Sequence, residues 1–324
     1  MADEGFAAPW VAFEKELGQR PLLKGGLEAV FKAWAALGGA LVSKYTFPAP
    51  DPSVNTKDQT LPNSSLKIRI YTPKGYDSSN PKPVGLYIHG GGWAMGDLDA
   101  DDATCRAIAA GAGVVLVSVD YRLAPQNPYP AGLDDCAAAF RWMLENARAL
   151  GGVEGKVWTV GASAGGGSAL GLALKLVDEG LGDKVAGIVS QVPVTVHPDA
   201  VPERLRGEYT SYEEHKEHTV NSKEAMYTFW NAYGAPPTDK YASPLLHPKL
   251  AELPKTYITC AGHDTLRDDA RLMRAELEAK GVPVKYDEFP GYPHYFWTFP
   301  SAQLKEPASE YIRKLVAGVA FVLS

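Results

Sequence analysis

Gly161-Ala162-Ser163-Ala164-Gly165 follows the apolar run Val157-Trp158-Thr159-Val160 and leads into small residues that can start a helix. Strand, then Gly-x-Ser-x-Gly, then helix is the nucleophile elbow, a sharp turn that lifts a serine hydroxyl off the end of a sheet. The glycines flanking Ser163 let backbone pass close by without side-chain clash. Upstream stands Leu86-Tyr87-Ile88-His89-Gly90-Gly91-Gly92-Trp93, an apolar strand running into a His-Gly-Gly-Gly loop. Backbone N–H groups of such a loop can approach the oxygen that gains charge in acyl transfer. Downstream, a candidate acid and a candidate base occur in the order Ser, Asp, His.

Composition narrows the class. The chain has 324 residues, is 45% hydrophobic and carries a net charge of −6. That length suits one large α/β domain. The absence of a basic patch argues against a nucleic-acid partner. Cys105, Cys136 and Cys260 make an odd count without framework spacing, so they read as buried small hydrophobes in a reducing compartment. The acidic start Met1-Ala2-Asp3-Glu4 lacks the layout of a signal peptide. The apolar stretch Leu27 to Val42 contains Glu28 and Lys32 and is too short to span a bilayer. The C-terminal Val-Leu-Ser carries no lipidation signal. A cytoplasmic protein is the expectation.

Residues 1–45 read as amphipathic helices, with Phe13, Leu17, Leu27, Val30, Phe31 and Trp34 on apolar faces. Residues 47–65, rich in Pro, Asp, Asn and Ser, read as loop, and Leu66 to Thr72 as an edge strand. Further strands are expected at Val84–His89, Gly113–Asp120, Val157–Val160, Ala186–Val192, Thr256–Ala261 and Val284–Phe289. Helices are expected at Ala100–Ala110, Leu133–Leu150, Gly166–Glu179, Asp268–Lys280 and Ser309–Val322. Apolar strands alternating with helices predict a mainly parallel sheet covered on both faces. Residues 200–240 interrupt this rhythm with a polar and aromatic insertion, read as a cap joined by the N-terminal helices. The catalytic domain is then 46–199 with 241–324.

Ser163 is the candidate nucleophile; a serine hydroxyl is weak at its free pKa and needs an adjacent base. His294 is the candidate base, on the loop Pro290-Gly291-Tyr292-Pro293-His294 just past the last strand. Asp264 is the candidate acid, in Gly262-His263-Asp264-Thr265-Leu266-Arg267-Asp268. Asp268 competes for that role but reads better as the N-cap of the next helix. The oxyanion donors are sought among the N–H groups of Gly90, Gly91, Gly92 and Ala164, with His89 bracing the loop. Trp93, Tyr212, Phe229 and Trp230 are candidate pocket residues, with plain cap packing the alternative for each. His215 and His218 stand three apart, but without a supporting carboxylate or cysteine cluster they read as part of a solvated cap helix, not a metal site.

Taken together, the chain resembles the hormone-sensitive-lipase-like (family IV) esterases among the α/β-hydrolases. The resemblance rests on His89-Gly90-Gly91-Gly92-Trp93, Asp120-Tyr121-Arg122-Leu123-Ala124-Pro125, the Ser163 elbow, Tyr241-Ala242-Ser243-Pro244-Leu245, Asp264-x-Leu266-Arg267-Asp268 and His294-x-Phe296. It covers most of the chain from about residue 60 onward. Ala162, Thr265 and Gln126-Asn127 depart from the residues usual at those places. The resemblance implies an α/β-hydrolase fold with an eight-stranded, mainly parallel sheet flanked by helices and a helical cap. It also implies hydrolysis of short- to medium-chain carboxylic esters, no metal or organic cofactor, and a homodimer through the last strand and helix. Asp120 and Arg122 are then scaffold residues. An amidase or formamidase with the same triad stays open, as does a secondary-metabolism hydrolase or lyase. A non-catalytic receptor of the same fold is disfavoured by the presence of His294.

Overall fold

The computed structural model describes residues 5–217 and 220–324. The acidic start at residues 1–4 and His218 lie outside the described residues. The strands are β1 (Val54–Thr60), β2 (Lys67–Pro73), β3 (Val84–Ile88), β4 (Leu116–Asp120), β5 (Val157–Ala162), β6 (Val185–Gln191), β7 (Thr256–Ala261) and β8 (Val284–Phe289). They form one sheet in the order β1-β2-β4-β3-β5-β6-β7-β8. β1, β2 and β4 pair antiparallel, and every pair from β4 to β8 is parallel. This is the eight-stranded, mainly parallel sheet that the family resemblance implies.

The helices are α1 (Ala8–Leu17), α2 (Leu27–Lys44), α3 (Asp102–Ala112), α4 (Ala131–Asn146) and α5 (Ala164–Asp178), then the short α6 (Ser211–Glu214), α7 (Lys223–Tyr233), α8 (Arg267–Ala279) and α9 (Lys305–Val322). All five residues of β3 are buried, because helices cover both faces of the sheet. Alternate side chains divide between two cores. Leu86 and Ile88 pack with Phe140, Met143 and Met273 on one face, while Tyr87 packs with Ile108, Leu315 and Val319 on the other. The strand expected from Gly113 begins only at Leu116, since Gly113 caps α3 with a left-handed φ of 61°.

Two expectations fail at the first edge. β1 lies within the stretch read as loop, and β2 is an interior strand, paired on both sides. Six of the seven β1 residues are not buried, so no apolar alternation marks it. Its order comes from the ladder to β2, and charges such as Lys57 and Asp58 suit an edge.

The N-terminal helices and the insertion meet over the C-terminal ends of the strands. The Leu23 N–H donates to the Val220 carbonyl at 2.6 Å, and the Thr228 hydroxyl to the Gly25 carbonyl at 2.8 Å. Val30, Leu37 and Leu41 of α2 are buried, but Phe31 and Trp34 are 36% and 46% exposed, a correction to the expected apolar face. α2 lies across a cavity mouth, and the Trp34 side chain stands at its rim.

Asp269, fully buried on α8, ties the insertion to the sheet. It accepts the N–H groups of Thr195 (2.7 Å) and Val196 (3.2 Å) and the Tyr209 hydroxyl (2.8 Å). Burial pushes its carboxyl up to about 7, only partly offset by those donors. A carboxyl raised on folding contributes stability below its ordinary value of 3.8, and that contribution is lost as pH rises through about 7. Asp269→Asn does not titrate there. Urea unfolding from about pH 5 to about pH 8 should therefore show the wild type losing stability relative to the variant. Parallel curves would contradict this account.

Candidate active site

β5 ends at Ala162, and Ser163 follows with φ 57° and ψ −122°, a backbone conformation that costs energy for any residue but glycine. The surroundings hold it there. Its N–H donates to the Gln191 carbonyl at 2.8 Å, and its carbonyl accepts the Gly167 N–H at 3.0 Å. A Cβ on Gly165 would stand 2.0 Å from the Ile88 carbonyl oxygen, so only glycine lets α5 start this close to β3.

Three loops bring the predicted acid, base and nucleophile together. His294 Nε2 lies 2.8 Å from Ser163 Oγ, and His294 Nδ1 lies 2.5 Å from Asp264 Oδ2. Asp264 is itself held, its Oδ1 accepting the Leu266 N–H at 3.0 Å and the Thr265 hydroxyl at 3.4 Å. Asp264 is completely buried and His294 is 6% exposed. With Asp264 accepting from Nδ1–H, the Nε2 lone pair faces the Ser163 hydroxyl. The competing Asp268 points elsewhere. α8 begins at Arg267 with Leu266 at the N-cap, so Asp268 is not the cap. Its carboxylate accepts the N–H groups of Thr210 and Ser211, both at 2.7 Å, and pairs with Arg267. It anchors the insertion.

The glycine loop divides its donors. The Gly90 N–H is committed to Asp101 Oδ2 at 3.2 Å, which corrects its place among the oxyanion candidates. Among the described residues, no acceptor takes the N–H of Gly91, Gly92 or Ala164. Gly91 and Gly92 have φ of 108° and 59°. His89 braces the loop, with Nδ1 2.8 Å from the Gly90 carbonyl and its ring stacked on Tyr121. Burial lowers its pKa. A Cβ on Gly92 would stand 2.4 Å from the Phe229 ring. Gly92→Ala must move the loop or the ring, and kcat should fall by about 100-fold with little change in KM. A kcat within about threefold of wild type would contradict the placement.

Ser163 and His294 open on a cavity of about 330 Å³, lined largely by apolar side chains. Phe229 lines it. Trp93, Tyr212 and Trp230 do not, which corrects their reading as pocket residues. Trp93, at φ 58°, stacks on Tyr233 with centroids 4.2 Å apart and packs against Trp230, while Tyr212 stacks on Tyr209. Tyr212 and Trp230 pack within the insertion, and Trp93 packs the glycine loop against it. Sequence reasoning missed Leu37 and Leu41 of α2, Phe47, Met95, Met226 and Asp101 as cavity residues. Only the helical spacing of Trp34, Leu37 and Leu41 offered a signal. His215 is buried against His263 and Arg267 and is no solvated residue; burial and those neighbours pull it down to about 4.

Serine, aspartate and histidine in this chain order, meeting at the strand ends of such a sheet, define the protein class as an α/β-hydrolase. The chain belongs to the family described as alpha/beta hydrolase fold, whose model matches residues 85–298. A versiconal hemiacetal acetate esterase of Aspergillus parasiticus is 47% identical over 97% of this chain and 96% of its own. A versiconal hemiacetal acetate esterase of Emericella nidulans is 46% identical over 90% of this chain and 99% of its own. Among solved structures, a vibralactone cyclase superposes with a TM-score of 0.85 at 27% identity, covering 98% of this chain and 95% of its own. The chain is a carboxylic ester hydrolase. Among the described residues, no helix is long and apolar enough to cross a membrane.

Proposed function

We propose that the protein hydrolyses short-chain carboxylic esters, acetates foremost, through an acyl-enzyme on Ser163. The observation that carries this reading is the chain Ser163–His294–Asp264, at 2.8 and 2.5 Å, opening on the cavity. His294 Nε2 takes the Ser163 proton as Oγ attacks the ester carbonyl. Asp264 fixes the imidazole tautomer and stabilises the imidazolium. The N–H groups of Gly91, Gly92 and Ala164 receive the oxyanion. Collapse of the tetrahedral intermediate expels the alcohol, protonated by His294. Water, deprotonated by the same histidine, then releases the acid and restores Ser163.

The name of the Aspergillus relative supports acetyl as the acyl group transferred to Ser163, with the alcohol leaving. Residues 1–45 and 200–240 form the cap, and residues 46–199 with 241–324 the catalytic domain. Hydrolysis of p-nitrophenyl esters from acetate to palmitate tests the acyl size. The expected profile peaks at acetate to hexanoate and falls away at laurate and palmitate. A palmitate optimum would contradict it. We also infer a homodimer through β8, which is paired on one side only. Sedimentation at twice 34.8 kDa supports this, and sedimentation at the monomer mass contradicts it. Three buried free cysteines fit a reducing compartment such as the cytoplasm.

A further inference from the structure

α2 turns one face to the cavity. Trp34, Leu37, Gly38 and Leu41 line it, at the i, i+3, i+4 and i+7 positions of a single helical face. Three of the four carry large apolar side chains, and Gly38 carries none. Glycine inside a helix costs backbone entropy and weakens the helix relative to alanine. Elsewhere in this fold, packing requires such glycines. A Cβ on Gly171 of α5 would stand 2.2 Å from the Tyr241 carbonyl oxygen, and one on Gly318 of α9 would stand 1.9 Å from the Tyr257 ring. A Cβ on Gly38 would meet nothing within 4 Å outside its own stretch of helix. Nor does Gly38 have the left-handed φ that favours glycine.

Neither packing nor backbone conformation asks for glycine at this position, so the missing side chain is a gap in the cavity wall. The cavity, at about 330 Å³, is of the size that takes up a drug-sized molecule, and an acetyl group leaves most of it free. The rings of Trp34, Phe47, Phe229 and Phe299 line it. Trp34 stands one turn before Gly38, and both Trp34 and Phe47 are 46% exposed, so a ring seated over Gly38 would cover apolar surface that the protein leaves open. We propose that Gly38 is a specificity-determining residue: the space it leaves holds an aromatic group on the alcohol part of the ester, so that acetates of bulky aromatic alcohols are selected over acetates of small aliphatic ones. The inference rests on the short-acyl esterase reading above, because a short acyl group leaves the volume to the alcohol.

Acetates of primary alcohols vary the bulk of the leaving group with little change in its acidity, and titration of released acid follows their hydrolysis. Naphthylmethyl acetate should show kcat/KM about tenfold or more above propyl acetate, and benzyl acetate should exceed cyclohexylmethyl acetate. Gly38→Leu fills the gap. Its naphthylmethyl-to-propyl ratio should fall about tenfold, with propyl acetate kept within about threefold of wild type. Gly39→Leu is the control, since Gly39 is exposed on the same helix and does not line the cavity. Its ratio should equal that of wild type. Gly38→Ala should raise the thermal midpoint by roughly a degree or two, as befits a glycine kept for space and not for the fold.

A wild-type ratio below about two overturns the proposal, as does an unchanged ratio in Gly38→Leu or an equal loss in Gly39→Leu. A lowered midpoint in Gly38→Ala would give the glycine a structural role and overturn it too. Cyclohexylmethyl acetate turned over as well as benzyl acetate overturns the aromatic chemistry. With p-nitrophenyl esters, a fall in the hexanoate-to-acetate ratio in Gly38→Leu would put the acyl chain in the gap and overturn the alcohol assignment. If no ester is turned over and Ser163 resists fluorophosphonate, the esterase reading fails. Calorimetric affinities for naphthylmethanol then still decide the role of Gly38: a loss of about tenfold confined to Gly38→Leu supports it, and equal affinities in wild type and both leucine variants overturn it.

Discussion

Ser163→Ala is expected to lower kcat for p-nitrophenyl acetate by about a million-fold, to abolish labelling by a fluorophosphonate, and to leave the protein folded. Oγ is the atom that attacks, and among the described residues Ser163 is the one hydroxyl hydrogen-bonded to His294 Nε2. The residual rate belongs to a pocket that can still bind the ester and polarise its carbonyl. Alanine fits the elbow. Ser163 is held through its backbone, by the Gln191 carbonyl and the Gly167 N–H, and neither bond uses the hydroxyl. The thermal midpoint should therefore stay within a few degrees of wild type. A variant that keeps a tenth of the activity would remove Ser163 from the mechanism.

The second large effect separates two acids. Asp264→Asn is expected to cost about 10⁴ in kcat. Asparagine would present an amide N–H to Nδ1 of His294, which is 2.5 Å from Oδ2 in the wild type. The imidazole would then carry its proton on Nε2 and could not accept from Ser163. Asp268→Asn should act differently. Asp268 holds the Thr210 and Ser211 N–H groups and pairs with Arg267. Its loss should lower the thermal midpoint and leave most of kcat at a temperature where the variant is folded. If Asp268→Asn lost kcat as Asp264→Asn is expected to, the acid would be misassigned.

Much of this was legible because it is local. The elbow around Ser163 is a strand-to-helix turn whose glycines are dictated within five residues. Asp264 sits on the loop after the apolar β7 and His294 on the loop after β8, and the strand order brings those loops together. What stayed hidden depends on tertiary partners. β1 has no apolar alternation, because a polar edge strand is specified by the ladder to β2. Trp93, Tyr212 and Trp230 share their composition with true pocket residues. Which way an aromatic ring turns is settled by its neighbours, here Tyr233 and Tyr209. Gly90 was indistinguishable from Gly91 and Gly92 until Asp101 was seen to take its N–H. Asp101 itself was hidden at the start of a helix, where an aspartate is ordinarily a cap.

The central claim is that the reaction passes through an ester on Ser163. Rapid quenching of the wild type after mixing with p-nitrophenyl acetate, followed by peptide mass spectrometry, tests it directly. The account predicts a burst of nitrophenol stoichiometric with enzyme and one acetyl group on the peptide carrying Ser163. Steady turnover with no burst, and no acetyl group on Ser163 at any quench time, would contradict it.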